Sequence, residues 1–291
     1  MKKSFWVLVM AVMLLSCACS QKELYEGSVV SVAGDGLVKP ELVREYSKQF
    51  YQYNTEANIT VENTVYQCRY FHSERYWFDC TRWIDVYRTS SSDADIYIDH
   101  DSGDVVGYRH FTLLTDENEF LKADADKPLE NAKAIAIDCA SKFINTDEYN
   151  IDIRQEYKYM SNDTGQEGNK ITVFNITFSK YIDGLPSSDM FKVAVNSKGT
   201  LISWQAYALN SFDRFSVNID KDVLEASIKA KLDALYKPIF SSYTYNIDQG
   251  RIILTPEGIP AYQANIDIQG NEVSTNVAIV FNVPYKSSAS A

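Results

Sequence analysis

Apolar side chains at strand spacing and at helical spacing constrain the fold of this chain more than any other sequence feature. Phe174, Ile176 and Phe178 share one face of an extended segment, and residues 190–195 repeat the alternation. A strand with one apolar face requires another layer to cover that face. Upstream, residues 129–143 carry apolar side chains at the spacing of an amphipathic helix. The sequence therefore predicts a helix packed on an antiparallel sheet.

The same order of elements, one helix and then four strands, recurs three times at a spacing of roughly ninety residues. The three helices are predicted to begin at Pro40, near Asp126 and Pro128, and after Asp220. The recurrence predicts an α+β fold of tandem units, each with one helix packed on a curved antiparallel four-stranded sheet. The expected bounds are 17–37 for a tether, 38–114, 126–209 and 218–283 for the three units, and 284–291 for a tail. The strands of the second unit are expected near residues 151–159, 171–181, 190–195 and 201–208.

Residues 1–16 have the layout of a bacterial signal peptide. Two lysines precede an apolar run, Phe5–Leu15, that is too short to cross a membrane as a helix. The segment Leu14–Cys17 resembles the lipobox, in which a cysteine is acylated and becomes the new N-terminus. The sequence therefore predicts an extracytoplasmic lipoprotein that is anchored to the cell membrane through Cys17, with Cys19 as an alternative acceptor. Ordinary signal cleavage without a lipid is the other possibility.

The chain is acidic, with 39 aspartates and glutamates against 28 lysines and arginines and a net charge of −11. Such a field repels polyanions, so the charge argues against a nucleic-acid partner and against a membrane-binding basic face. A cationic peptide is the better partner on this criterion.

Two cysteines are expected to form a disulfide bond. Residues 64–71 and 76–87 have strand character, and a hairpin centred on Glu74 would place Cys68 opposite Cys80. Directly opposed strand residues lie within the reach of a disulfide, which an oxidising compartment would favour. Two free thiols are the alternative. Cys139 lies in a helical pattern and is expected to be a buried, unreactive thiol.

No catalytic or metal-binding motif is present. The three histidines, His72, His100 and His110, do not form a zinc-binding H-E-x-x-H helix, and motifs for a serine hydrolase or a nucleotide site are absent. The acidic turn at residues 92–104 lacks the ligand order of a calcium loop and is interpreted as solvated carboxylates. The sequence therefore predicts a protein without enzyme activity, cofactor or metal, although a hydrolase with dispersed carboxylates is not excluded.

A cluster of aromatic residues offers a candidate binding surface. In the predicted hairpin Trp77, Trp83 and Tyr87 share one face, and Tyr76 and Phe78 share the other. One set is expected in the core, and Trp77, Trp83 and Tyr87 form the candidate surface. Ordinary sheet packing is the alternative, because aromatic residues are favoured in strands.

Residues 181–186, Tyr-Ile-Asp-Gly-Leu-Pro, precede a strand pair that turns at Gly199, and a similar hairpin turns at Gly103. This arrangement resembles the PepSY group of extracytoplasmic domains, most clearly over residues 126–209. The resemblance implies a cystatin-like fold and a role without catalysis, often in restraining peptidases or modulating envelope sensors.

The sequence thus predicts a lipid-anchored protein that binds a protein or peptide partner at the cell envelope. A sheet edge is the expected contact, because its free backbone groups can pair with an extended peptide. The alternative function is binding of a solute or glycan by the exposed aromatic face.

Overall fold

A computed structural model describes residues 22–33, 56–76, 79–111, 129–159, 170–271 and 273–287. Within these residues the chain forms fifteen strands and two α-helices. The predicted signal peptide, Cys17, Cys19 and the helix predicted at Pro40 lie outside them. No helix in the described part of the chain is both long enough and apolar enough to cross a membrane.

The helices are α1 (Leu129–Ala140) and α2 (Lys221–Tyr236), and a single 3-10 turn lies at Thr146–Glu148. The strands are β1 (Gly27–Ala33), β2 (Glu56–Val61), β3 (Thr64–Tyr76), β4 (Asp79–Thr89), β5 (Ala94–Asp99), β6 (Val105–His110), β7 (Asn150–Tyr159), β8 (Lys170–Ile182), β9 (Leu185–Asn196), β10 (Leu201–Tyr207), β11 (Phe215–Val217), β12 (Thr244–Leu254), β13 (Pro260–Gly270), β14 (Val273–Asn282) and β15 (Tyr285–Ser287).

Thirteen of the described strands belong to one sheet, and β11 pairs separately with β15. The sheet has the order β1-β14-β13-β12-β4-β5-β6-β10-β9-β8-β7, and β3 and then β2 branch from β4. Strand pairs are antiparallel except where β12 meets β4 and β9. Each of these parallel contacts is one residue pair, Leu254 opposite Asp79 and Ile252 opposite Ser187. Strand β12 therefore closes a circuit through β4, β5, β6, β10 and β9.

The predicted fold class, tandem α+β units with separate four-stranded sheets, is wrong. Thirteen of the described strands form one mixed sheet, because strand edges from distant parts of the chain pair with each other. Strand β6 pairs with β10, with Tyr108 opposite Trp204. Strand β1, inside the predicted tether, pairs with β14. Apolar periodicity shows which face of a strand is buried but carries no information about which edge its neighbour occupies.

Several individual elements are nevertheless confirmed. Strands β7 to β10 occupy the positions expected for residues 151–208. The helix predicted after Asp220 is α2, and the Asp220 carboxylate accepts hydrogen bonds from the backbone N–H groups of Asp222 and Val223. This side-chain cap satisfies donors that the first helical turn leaves free.

Helix α1 packs on the sheet through small side chains, and we refer to α1 with β7–β10 as the α1 region. The sheet side chains beneath it are large and aromatic, and Phe191 stacks on Trp204 with ring centroids 5.8 Å apart. Small helix residues allow the helix to approach these rings closely, so the volumes on the two sides are complementary. The buried helix residues are Ala132, Ala136, Cys139 and Ala140.

Helix α2 packs through large side chains, and we refer to α2 with β1 and β12–β14 as the α2 region. Leu232 and Tyr236 are completely buried. The sheet contributes aliphatic residues and Phe281 to this core. The buried helix residues are Val223, Leu224, Ser227, Ile228, Leu232 and Tyr236.

The predicted disulfide between Cys68 and Cys80 is not formed. Cys68 is a buried free thiol and lies opposite Thr89. Cys80 is nine positions from Thr89 along β4, on the order of 30 Å of extended strand. The prediction failed because the hairpin turns after Tyr76 and not at Glu74, which is a strand residue. The polar residues 72–75 continue β3 up to its end at Tyr76 and do not form a turn.

Cys139 is a buried free thiol, as predicted. Burial raises the pKa of this thiol to about 11. The thiolate, which is the reactive form, is therefore scarce at neutral pH.

Candidate functional site

The face of the α1 region turned away from the helix forms a cleft. Because side chains alternate along a strand, the residues next to the buried aromatic rings point to this opposite face. Asn175 and Thr177 of β8 and Lys192 of β9 form its floor, and parts of β7 and β12 form its walls. The volume of the cleft is about 740 Å³, within the range of small-ligand sites.

A second cavity of about 230 Å³ adjoins the cleft and shares Asn175, Thr177 and Lys192 with it. Strands of the closed circuit supply its other walls, including the side chains of Tyr97 and Tyr207. Lys192 therefore lies where the two spaces meet.

Three cations surround the floor of the cleft. Lys192 lies on β9, Arg251 on β12 and Arg154 on β7, and all three line the cleft. The pKa of Lys192 is lowered to about 8, first by burial and then by the positive charges of Arg251 and Arg154. Burial is also the main cause that lowers the pKa of Arg251. The fold of this acidic protein thus brings three positive charges close together at a partly buried site.

Two of these cations contact uncharged groups. The ammonium of Lys192 lies 5.2 Å from the centroid of the Tyr207 ring. One terminal nitrogen of Arg251 donates to the sulfur of Met190 at 2.9 Å. An aromatic ring and a thioether orient a cation but carry no full negative charge.

One wall of the cleft is a strand at the edge of the sheet. Among the described residues β7 pairs only with β8, so its other backbone edge has no strand partner there. Apolar groups are exposed nearby, since Ile151 is 37% and Tyr181 48% accessible, and both line the cleft. Carboxylates complete the lining at Asp152, Glu156 and Asp248.

The aromatic residues predicted as a binding surface occupy different environments. Trp77 lies outside the described residues. Trp83 is half-buried beneath the guanidinium of Arg75, which lies 4.5 Å from its ring centroid. Tyr87 is half-buried and packs edge-on against Tyr70 at 5.6 Å. Neither Trp83 nor Tyr87 lines the cleft.

The histidines do not form a catalytic arrangement with the nearby serine. Ser73 donates a hydrogen bond to one oxygen of Asp85, and His100 approaches the other oxygen at 2.9 Å. A serine nucleophile needs the imidazole between the hydroxyl and the carboxylate, whereas here the carboxylate lies between them. His72 lies 3.1 Å from Glu74.

The acidic turn uses its carboxylates in local contacts. Asp95 accepts from Arg88 at 2.8 Å, and Asp99 accepts from Arg82 at 2.8 Å. The described residues include no group of three or more His, Cys, Asp or Glu side chains placed to hold a metal ion.

Sequence reasoning missed the cleft. The alternation of Phe191 and Val193 does indicate that Lys192 points away from the core of the α1 region. The sequence gives no sign that Arg251, about sixty positions later, approaches the same face, because this depends on the pairing of Ile252 with Ser187.

No protein-family model matches the sequence, and no curated protein is significantly similar to it. One solved structure, the Bacillus megaterium YpeB C-terminal domain, aligns with 83% of this chain and 89% of its own length. The identity is 10% and the TM-score is 0.29, values too low to support an argument about function.

Proposed function

We propose that this chain is a lipid-anchored extracytoplasmic protein without enzyme activity, and that it binds an extended segment of a protein or peptide partner along β7. The observation that carries the proposal is the ten-residue edge strand β7 beside a cleft of about 740 Å³. An extended segment can add to such an edge through backbone hydrogen bonds while its side chains enter the neighbouring cleft.

The surroundings of β7 support this mode of binding. Ile151 and Tyr181 offer exposed apolar contacts, and Asn175 and Thr177 offer polar groups on the floor. A few convergent polar groups beside apolar surface are typical of ligand sites.

Site-specific crosslinking on membranes tests the location. A photoreactive amino acid at Glu156, on the wall of the cleft, should give a discrete crosslinked species when the full-length protein is irradiated in its native membrane. The same replacement at Glu225, exposed on α2, is the matched control and should give none. Crosslinking at neither position, or equally at both, would refute binding at β7.

The lipid anchor is tested independently by metabolic labelling with an alkyne analogue of palmitate. Cys17→Ala should abolish the label and release the protein from the membrane fraction, whereas Cys19→Ala should leave both unchanged. The reverse result would move the anchor to Cys19, and labelling of neither cysteine would refute lipidation.

A further inference from the structure

We propose that the cleft binds the C-terminal carboxylate of an extended peptide between Lys192 and Arg251. This inference rests on the proposed function, because it names the chemical group that the ligand presents to the same cleft.

The position of the cations is the first argument. Lys192 and Arg251 belong to different parts of the sheet, and the pairing of Ile252 with Ser187 brings them to one cleft. The ammonium and the guanidinium offer several N–H donors, and a carboxylate has two oxygens that can accept from both groups.

The electrostatics are the second argument. The charges of Arg251 and Arg154 act on Lys192 in the unfavourable direction, and burial adds to this effect. A bound anion would reverse the sign of the interaction, because an opposite charge within a few ångströms favours the protonated lysine. Titratable groups in clefts whose pKa values are shifted occur most often at functional sites.

The rim of the cleft selects among anions. Asp152, Glu156 and Asp248 line the same cleft as the cations, and Arg154 pairs with Asp152 at 3.4 Å. Repeated negative charges on a ligand would meet these carboxylates as well as the net charge of −11. A peptide with one terminal negative charge and an uncharged or basic body fits this distribution better than an acidic polymer does.

The edge strand β7 offers the peptide a path beside the cations. A peptide paired with β7 lies parallel to the floor strands, and its end can turn toward Lys192 beside Asn175 and Thr177. Their side-chain amide and hydroxyl can donate to the same carboxylate.

The test uses two synthetic probes, N-acetyl-Ala-Val-Ala-Val-Ala with a free C-terminal carboxylate and the same peptide as its C-terminal amide. Binding to the intact protein is followed by NMR titration at millimolar peptide. The free acid should bind about tenfold or more tightly than the amide, as expected for a charge-assisted hydrogen bond. Lys192→Met should abolish the difference, and Lys192→Arg, which keeps the charge, should retain it.

Lys180→Met is the matched control. Lys180 lies in β8 of the same region, but its ammonium pairs with Asp213 at 3.0 Å and it does not line the cleft. This variant should keep the preference for the free acid. Loss of the preference in both lysine variants would indicate a general effect of charge and would overturn the assignment to Lys192.

The two proposals fail differently. Equal binding of the acid and the amide to the native protein, with crosslinking at Glu156 intact, would overturn the carboxylate site and leave the edge-strand proposal standing. Absence of binding by both peptides, with no crosslinking at Glu156, would overturn both proposals. Thermal unfolding confirms that each variant is folded, and Lys192→Met is expected to be at least as stable as the native protein because it removes a partly buried charge.

Discussion

The α1 and α2 regions cover the same sheet with helices of opposite character. Helix α1 buries alanines and a cysteine over aromatic rings, whereas α2 buries leucine, isoleucine and tyrosine over mostly aliphatic strands. In both regions side chains occupy the space between helix and sheet. The large side chains come from the sheet in the α1 region and from the helix in the α2 region. The comparison shows that close packing constrains the total volume of the facing side chains more strongly than it constrains which residues lie on either face.

The faces turned away from the helices differ in another way. In the α2 region this face carries a small apolar cluster of Ile253, Ala261 and Val280, all buried. In the α1 region it carries Lys192, Asn175 and Thr177 and forms the floor of the cleft. One region therefore uses both faces for packing, whereas the other leaves one face available for a ligand.

The strongest test of the packing difference is Leu232→Ala in α2. Leu232 is completely buried, so its truncation should remove apolar contacts and leave a cavity. The free energy of unfolding should fall by about 2–5 kcal/mol. Denaturant titration measures this change, with Glu225→Ala on the exposed face of α2 as the control. A loss no larger than that of the control would mean that α2 is not tightly packed.

The converse change is Ala136→Leu in α1. Ala136 is completely buried against the aromatic strands, and extra methyl groups have no space there. Overpacking should reduce the free energy of unfolding by about 1–3 kcal/mol. Ala134→Leu adds the same atoms on the exposed face and should have little effect. Equal stability of the two variants would contradict the close approach of α1.

A pair of tyrosine–aspartate hydrogen bonds sharpens the comparison. In the α1 region the Tyr149 hydroxyl donates to the completely buried Asp189 at 2.6 Å. In the α2 region the Tyr243 hydroxyl donates at 2.7 Å to Asp233, which solvent reaches. Tyr149→Phe leaves a buried carboxylate with one donor fewer and should cost about 1–3 kcal/mol. Tyr243→Phe should cost less, and a denaturation curve for each variant in the same buffer decides between these outcomes.

The cleft predicts a dependence of stability on alkaline pH. The folded pKa of Lys192 is about 8, below the ordinary lysine value of 10.5, so the unfolded chain binds more protons between these values. Stability should therefore gain up to about 1.4 kcal/mol per pH unit from this group as pH rises from 8 to 10.5. Burial is the largest cause of the lowered pKa of Lys192, followed by the positive charges of Arg251 and Arg154, and the ring of Tyr207 lies 5.2 Å from the ammonium.

The unfolding free energies of the native protein and of Lys192→Met are measured across that pH range and subtracted. The subtraction removes the contribution of other titrating groups. A difference that does not change with pH would show that Lys192 titrates normally.

The smallest effect is expected in the α2 region, at the acid end of the pH range. Hydrogen bonds from Lys229, Tyr243 and Lys237 lower the pKa of Asp233. Its contribution is complete above the ordinary value of 3.8 and is lost as pH falls below it. Thermal melts of the native protein and of Asp233→Asn should therefore converge in acid, and parallel curves would argue against this assignment.

The accuracy of sequence reasoning followed the range of the interactions. Local signals placed Asp220 at the start of α2 and the alternating strands of the α1 region, because capping and side-chain alternation depend on neighbouring residues. The prediction failed where distant edges meet, as with β6 and β10, and where polar residues occupy a strand, as at Glu74. Predicting the cleft requires both the local alternation of side chains and the pairing of distant strands. The sequence therefore assigns Lys192 to a face of β9 but does not identify Arg251 as its neighbour.

The short parallel pairing of β12 with β9 has a mechanical consequence. Strand β1 follows closely after the proposed anchor, and its pairing transmits any tension on the N-terminal end to β14, then to β13 and β12. Among the described residues β12 pairs with β9 at one position and with β13 at ten, so fewer backbone hydrogen bonds hold the β12–β9 junction against tension. A pulling force from the membrane would then shift Arg251 relative to Lys192. The affinity for a bound peptide would therefore depend on the force applied to the chain.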